Sequence, residues 1–336
     1  MQTIAVVAAA MGLSGCTDAL LGPAPGTDRA ALFDQVWEQF DLHYSFFEFK
    51  GVNWDSLGAT YHPLAIAAGS DAAFAAQIGE MMRELKDVHV SLTPAGAGST
   101  VGYVSVYDTI ATYFNPAIVD VYYLTREAAT SGRHLTYGLA APAVGYVRIS
   151  SFAGESWDGE MDEALGAMPQ ITSVIIDVRN NPGGNNTLAV QLAGRFTATT
   201  RRYGWVRLRN GPKHTDFTDF IERTVAPLGA RAFAGAVYIL TNRRDFSSAE
   251  DFVLAMRALP KVTVVGDTTA GASGGPLSRE LTNGWSYELS EWIEYLPGKK
   301  MFEGVGLAPD EYVKAAARDA SRGVDAAMAK AVALAR

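Results

Sequence analysis

The chain has 336 residues, 48% of them hydrophobic and 19% charged, so it can bury a sizeable core and is not an intrinsically disordered polypeptide. No apolar run reaches the roughly 18 residues that a membrane-spanning helix needs. With 28 basic against 36 acidic residues, a formal charge of −8 and no basic block, nucleic acid is not an expected partner.

Residues 1–16 read MQTIAVVAAAMGLSGC. The run Ile4–Leu13 is apolar, rich in small residues and too short to span, which predicts a secretory signal peptide. It ends in Leu13-Ser14-Gly15-Cys16, which resembles a bacterial lipobox, although no Lys or Arg precedes the apolar run. The resemblance implies lipidation at Cys16. The product would be an exported lipoprotein on the periplasmic face or the cell surface, touching membrane only through its lipid anchor. Cys16 is the chain's one cysteine, so the fold has no internal disulfide. Residues 17–28 are Gly/Pro/polar and read as a tether.

Thr27-Asp28 can cap a helix in which Leu32, Phe33, Val36, Trp37, Phe40 and Tyr44 share a face. A second helical piece starts at Trp54 and is expected to end before Pro63. Ser70-Asp71 caps a third, with Phe74, Ile78, Met81, Met82 and Leu85 on one face. Residues 29–92 are thus expected to form a helical unit. Residues 93–143 read as a short β linker, with strands over Tyr103–Tyr107 and Ile118–Leu124. From residue 144 the pattern alternates. Strands are expected over Val144–Ile149, Val174–Val178, Ala236–Thr241 and Val262–Val265, with helices over Leu188–Phe196 and Ala249–Leu259 between the last three. The apolar run of Val174–Val178 predicts a strand covered on both faces. The alternation predicts a βαβ-type core over 144–336. An Ala-rich helix over 311–335 closes the chain.

Five segments carry groups capable of chemistry. Arg179-Asn180-Asn181-Pro182-Gly183-Gly184 follows a buried strand; glycines there let backbone N–H groups approach an anion. Asn242 to Glu250 also follows a strand and brings two serines to a helix start. Alone, Ser247 with Glu250 reads as an N-cap with its capping box. His89 lies where a helix gives way to an extended run. Gly266–Gly275 is a glycine-rich loop that lacks the Gly-Lys-Ser/Thr ending of a phosphate-binding loop. Glu303 sits in a turn before the last helix. No Cys/His or His-x-x-x-His cluster suggests a metal, and no cofactor is expected.

Taken together the five resemble the S41 peptidases, the group of the C-terminal processing proteases and the tricorn core, over about Phe33 to Val313. The resemblance rests on the Arg-Asn-Asn-Pro-Gly-Gly turn at Arg179–Gly184, the Ser-x-x-Glu helix start at Ser247–Glu250, Gly-x-x-Thr-x-Gly at Gly266–Gly271 and Glu-x-x-Gly-x-x-Pro-Asp at Glu303–Asp310. It implies an α/β or α+β core of the ClpP/crotonase-like type behind the helical unit. The Ser–Lys branch of the family has a Lys where this chain has Ala272, so the resemblance points to the tricorn-like branch. Its pattern assigns Ser247 as nucleophile, with Ser248 the fallback, His89 as base and Glu303 as orienter. The branch's serine before the histidine is Val88 here. Oxyanion donors are expected from Gly183, Gly184 and Ser248, and substrate contacts from Gly271, Ala272 and Ser273. Residues 93–143 are too few for a PDZ domain. The expected activity is serine-type cleavage of peptides or unfolded protein segments. The alternatives are a non-catalytic binding lipoprotein of the same fold and a small-molecule esterase or amidase. The oligomeric state is left open.

Overall fold

The computed structural model describes residues 27–336 except 97, 158, 230 and 231. The signal segment, Cys16 and nearly all of the tether lie outside the described residues. The chain opens with helices α1 (Arg29–His43), α2 (Phe47–Lys50), α3 (Trp54–Ile66) and α4 (Asp71–Arg83). Asp28 and Ser70 cap α1 and α4 as expected, accepting from Ala31 N–H at 3.0 Å and Ala73 N–H at 3.2 Å. Helix α3 runs through Pro63 and ends one turn later, instead of stopping before it. Next come β1 (Ser91–Thr93), β2 (Val101–Gly102), α5 (Val106–Thr109), α6 (Pro116–Tyr122), β3 (Thr125–Ala129), β4 (Leu135–Ala141) and β5 (Val144–Ile149). The expected strand over Ile118–Leu124 is helix α6. Asn115 accepts from Ala117 N–H at 3.0 Å and Pro116 takes the first helical turn, a start signal that outweighs the β-branched run. No strand forms over Tyr103–Tyr107 either, since β2 ends at Gly102.

The rest holds α7 (Glu160–Gly166), β6 (Ser173–Asp177), α8 (Asn186–Ala193), β7 (Arg201–Leu208), β8 (Ile221–Val225), β9 (Ala236–Thr241), α9 (Ser248–Arg257) and β10 (Val262–Gly266). It ends with β11 (Pro276–Glu280), β12 (Ser286–Ser290), β13 (Trp292–Tyr295), β14 (Glu311–Tyr312), α10 (Ala317–Ala320) and α11 (Ala326–Ala335). The closing segment is therefore not one helix. Val313 N–H donates to Gly266 O at 2.8 Å, which draws β14 onto β10, and Gly323 turns the chain with φ +72° between the two short helices.

Seven strands form the central sheet in the order β14-β10-β9-β6-β5-β4-β3. β14, β10, β9, β6 and β5 run parallel, and β4 and β3 extend the edge antiparallel. The segment expected as a linker thus supplies two strands of this sheet. Both faces are covered. Val174, Ile176, Ile239 and Val264 pack with residues of α8 and α9, while Ile175, Leu240 and Val265 pack with residues of α11. Burial on two sides explains the unbroken apolar runs.

The helical unit does not close its own core. Phe40, Tyr44, Trp54, Phe74 and Ile78 cluster with Trp285, Tyr287, Leu289, Ile293 and Tyr295 from the second half of the chain. β1 pairs with β12 in a four-stranded sheet, order β11-β12-β1-β2, and a third sheet joins β13, β7 and β8. This sharing brings the His89 segment to the parallel core. The turn after β6, the loop after β9 and the loop after β10 all leave the carboxyl ends of parallel strands, where α/β folds place ligands.

Candidate active site

Ser247 does not cap α9. Its φ of 53° and ψ of −125° are rare for a residue with a side chain, and its hydroxyl bonds no helix N–H. The loop before it is pinned. Asp245 accepts from Asn242 N–H at 2.8 Å, Phe246 N–H donates to Asn181 O at 3.1 Å, and Ala270 N–H donates to Asp245 O at 3.0 Å. Strain held by such surroundings at a strand-to-helix turn is the geometry that exposes a nucleophile. The capping-box partner is engaged elsewhere. Glu250 is buried and accepts from the Thr269 hydroxyl, from Gly271 N–H at 2.8 Å and from Ala272 N–H at 2.7 Å. Burial pushes its carboxyl up to about 7, against the pull of those three bonds. Glu250 therefore fixes the loop after β10 against α9.

The glycine turn lies directly against Ser247. A methyl on Gly183, φ +88°, would meet Phe246 O at 2.8 Å, Ser247 Cβ at 2.8 Å and Ser248 N at 2.9 Å. A methyl on Gly184, φ +135°, would meet Phe152 C and O at 2.5 Å. Of the three expected donors, Gly183 is committed: its N–H donates to Asn181 Oδ1 at 2.8 Å. The N–H groups of Gly184 and Ser248 have no acceptor among the described residues. The Ser248 hydroxyl ties the two segments by donating to Gly184 O at 2.7 Å, so Ser247 carries the free hydroxyl of the pair.

His89 is mostly but not fully buried, its side chain 11% exposed, and the pull of burial on its ring keeps it below its ordinary value of 6.5, with Asp87 and Glu288 opposing and Lys50 reinforcing. The imidazole is thus neutral, and able to accept a proton, at neutral pH. It feels the charge of Asp251, one turn along α9 from Ser247. No hydrogen bond joins it to Ser247 in this structure; such bonds commonly tighten only with substrate bound.

The carboxylate beside His89 is Asp87, not Glu303. Asp87 Oδ1 lies 4.0 Å from His89 Nδ1 and accepts the His89 backbone N–H at 2.9 Å. At 4.0 Å that is a charge contact and not a hydrogen bond, and Nδ1 has no hydrogen-bond partner among the described residues. Asp87 Oδ2 accepts from the Tyr44 and Ser290 hydroxyls, each at 3.0 Å, and lies 3.6 Å from Lys50 Nζ. Burial alone would raise the Asp87 carboxyl, but Lys50, His89 and the bonds from His89 N–H and Ser290 together hold it below the usual range. Glu303 accepts from Ser273 N–H at 2.8 Å and Ser273 Oγ at 3.0 Å, and pairs with Lys50 at 3.2 Å. It reaches His89 only through Lys50 and Asp87.

Gly184, Ser247, Ser248, Ala272 and Ser273 line one cleft, together with Asn186, Asp251 and Glu294. Gly271 stands back from it. A methyl there would meet Gly306 N at 2.5 Å, so its role is close packing under the loop. Sequence reasoning missed Asp87, Lys50, Asp251 and Glu294. Asp87 had a signal, a carboxylate two residues before the histidine; Lys50 reads only as part of a turn.

The family model "Peptidase family S41" matches residues 143–313, and "Tricorn protease C1 domain" matches residues 25–83. A solved structure from Parabacteroides merdae ATCC 43184, described as a candidate peptidase, is 30% identical, with 92% of this chain and 97% of that one covered and a TM-score of 0.81. The carboxy-terminal processing protease CtpB of Bacillus subtilis is 24% identical over 174 residues, 51% of this chain and 34% of that protein. A CtpA-like serine protease of Staphylococcus haemolyticus is 30% identical over 171 residues, 50% of this chain and 32% of that protein. The match thus spans about a third of the length of these two relatives. Among the described residues no helix is long and apolar enough to cross a membrane.

Proposed function

The chain belongs to peptidase family S41, and on that footing we propose that it hydrolyses peptide bonds with Ser247 as nucleophile, His89 as base and Asp87 as the group that orients His89. The observation that carries this is the strained Ser247, whose free hydroxyl shares a cleft with two uncommitted N–H groups, those of Gly184 and Ser248.

A serine hydroxyl needs a base to attack a carbonyl at neutral pH. His89 takes the proton as Ser247 Oγ forms the bond to carbon. The carbonyl oxygen, now charged, turns to the Gly184 and Ser248 N–H groups, fixed dipoles worth more in a water-poor cleft than in solvent. His89 then returns its proton to the leaving amine. Water, deprotonated by the same ring, releases the acyl group from Ser247. Asp87 favours the tautomer with hydrogen on Nδ1, which leaves Nε2 free to face the serine, and it stabilises the imidazolium. Substrates are extended segments of peptide or unfolded protein. We further propose that the chain is exported and anchored by lipid at Cys16, on the strength of the leader pattern.

A fluorophosphonate probe tests the reading. Label is expected on Ser247, lost in Ser247→Ala and strongly slowed in His89→Ala, with peptide hydrolysis lost in parallel. Label on Ser248 would move the nucleophile by one residue. Folded protein that takes no label and cuts no peptide would favour a binding role. Cleavage of small esters but no peptide would point to an esterase.

A further inference from the structure

The chemistry above uses only the rim of the cleft. Its floor is built from charged groups that the reaction leaves idle. The cleft has a volume of about 160 Å³, with Ser247 and Gly184 at one edge and Asn186, Asp251 and Glu294 among the residues beyond them. Asp251 follows Ser247 by four residues on α9, a descent of about 6 Å at 1.5 Å per residue. Asp251 and Glu294 are each 5% exposed, and they are the only charged side chains among the described residues lining this cleft.

One cation stands behind them. Arg223 donates to Glu294 Oε1 at 2.7 Å, to Asp251 Oδ1 at 3.4 Å, to Asn186 Oδ1 at 2.8 Å and to the Tyr203 hydroxyl at 2.8 Å. Two carboxyls thus share one guanidinium. Each also feels the other's charge, so the pair repels when both are ionised. Burial raises both, Glu294 well above the usual carboxylate range. Asn186, whose Oδ1 accepts from Arg223, has a buried Nδ2 with no hydrogen-bond partner among the described residues.

We propose that Asp251 and Glu294 form the base of the pocket for the residue on the acyl side of the cut bond, and that they select a long basic side chain, Lys or Arg, there. The proposal rests on Ser247 being the nucleophile. An ammonium or guanidinium entering the pocket adds a second cation to two carboxyls that now share the single guanidinium of Arg223. An acidic side chain would add a third carboxyl to the pair. An apolar one would cover two polar groups without bonding them, at a desolvation cost. A short polar one would stop short of a floor one helical turn below the serine.

The test compares kcat/KM of the full chain on peptides that differ only at the acyl-side residue: Lys, Arg, Leu, Ala and Glu. Lys and Arg are expected to exceed Ala and Leu by at least about tenfold, the size of one modest charge interaction. Glu294→Gln is expected to cut the Lys-to-Ala ratio by about the same factor while fluorophosphonate labelling of Ser247 persists. Asp251→Asn gives the same ratio test if Glu294→Gln labels poorly. Equal cleavage after Lys, Leu and Ala by a protein that labels at Ser247 overturns the pocket assignment and leaves the hydrolase standing. So does a basic preference that survives both substitutions. A wild-type protein that neither labels nor cleaves overturns the hydrolase reading, and the pocket assignment falls with it.

Discussion

Two clusters of the same charge content flank Ser247, and they are finished differently. Beside His89, Asp87 and Glu303 share Lys50. Below Ser247, Asp251 and Glu294 share Arg223. In the first cluster every carboxylate oxygen has a partner supplied by the protein: the Tyr44, Ser290 and Ser273 hydroxyls, two backbone N–H groups and the ammonium. Asp87 is accordingly held below the usual range although it is buried, while burial and then the charge of Asp87 still push Glu303 up. In the second cluster the carboxyls depend on one guanidinium, face the cleft, and are pushed up. A completed network is rigid and holds a charge where catalysis needs it; an incomplete one has capacity left for a visitor. Whether a buried carboxylate pair braces a site or receives a ligand is thus decided by the hydrogen-bond donors around it.

Substitutions can break this contrast. The largest effect is expected from Asp87→Asn, which keeps the shape but removes the charge facing His89 and allows the wrong tautomer. kcat/KM should fall by roughly 10²–10⁴ with secondary structure retained in circular dichroism. Next is Lys50→Met, which leaves Asp87 and Glu303 buried and unpaired. A stability loss of about 3 kcal/mol is expected from urea unfolding at neutral pH, since these side chains are 13%, 1% and 6% exposed. The sign of the pH dependence follows from Asp87. Its folded value lies below its unfolded one, so its contribution is complete above the ordinary carboxylate range and is lost as pH falls through the folded value. Without Lys50 that loss should begin at higher pH. Glu303→Gln should cost less than Asp87→Asn in kcat/KM, about tenfold or below, because Glu303 acts only through Lys50 and the Ser273 segment. An equal loss from both would return the orienting role to Glu303.

The sequence was most legible where one element decides its own environment. Val174–Val178 and Ala236–Thr241 read as strands because both faces of the sheet are covered. The serines and glycines of the site were visible because only special backbone suits those turns. Ser247 was nevertheless poised between an N-cap and a nucleophile, and setting the cap aside needed φ, ψ and the true partners of Glu250. The carboxylate beside His89 was only faintly legible, as an acid two residues before it, and spacing does not choose between Asp87 and Glu303. Which of Asp87 and Glu303 meets His89 depends on how residues 44, 50, 273 and 290 pack together, four segments remote in the chain. The helical unit's shared core with Trp285, Tyr287 and Ile293 was hidden for the same reason. Helix α6 was misread because a capping Asn115 and Pro116 outweigh β propensity.

The smallest expected effect probes the ring on which both clusters act. His89 is held below 6.5 by burial first, with Asp87 and Glu288 working against that pull. The acid limb of kcat/KM, which follows the neutral base in the free enzyme, should therefore lie below pH 6.5. Glu288 sits on β12 at the protein surface, outside both clusters, and its side chain accepts a 3.5 Å bond from the Ser91 hydroxyl. Glu288→Gln removes one charge that favours the imidazolium and disturbs neither carboxylate pair. The limb should move to lower pH with the plateau rate kept, and the displacement should shrink in high salt, because an exposed charge is screened. A limb that moves upward, or a plateau that collapses, would mean that the titrating group governing the rate is not His89 but one of the buried carboxyls. In that case the division between a finished brace and an open receptor would have to be redrawn.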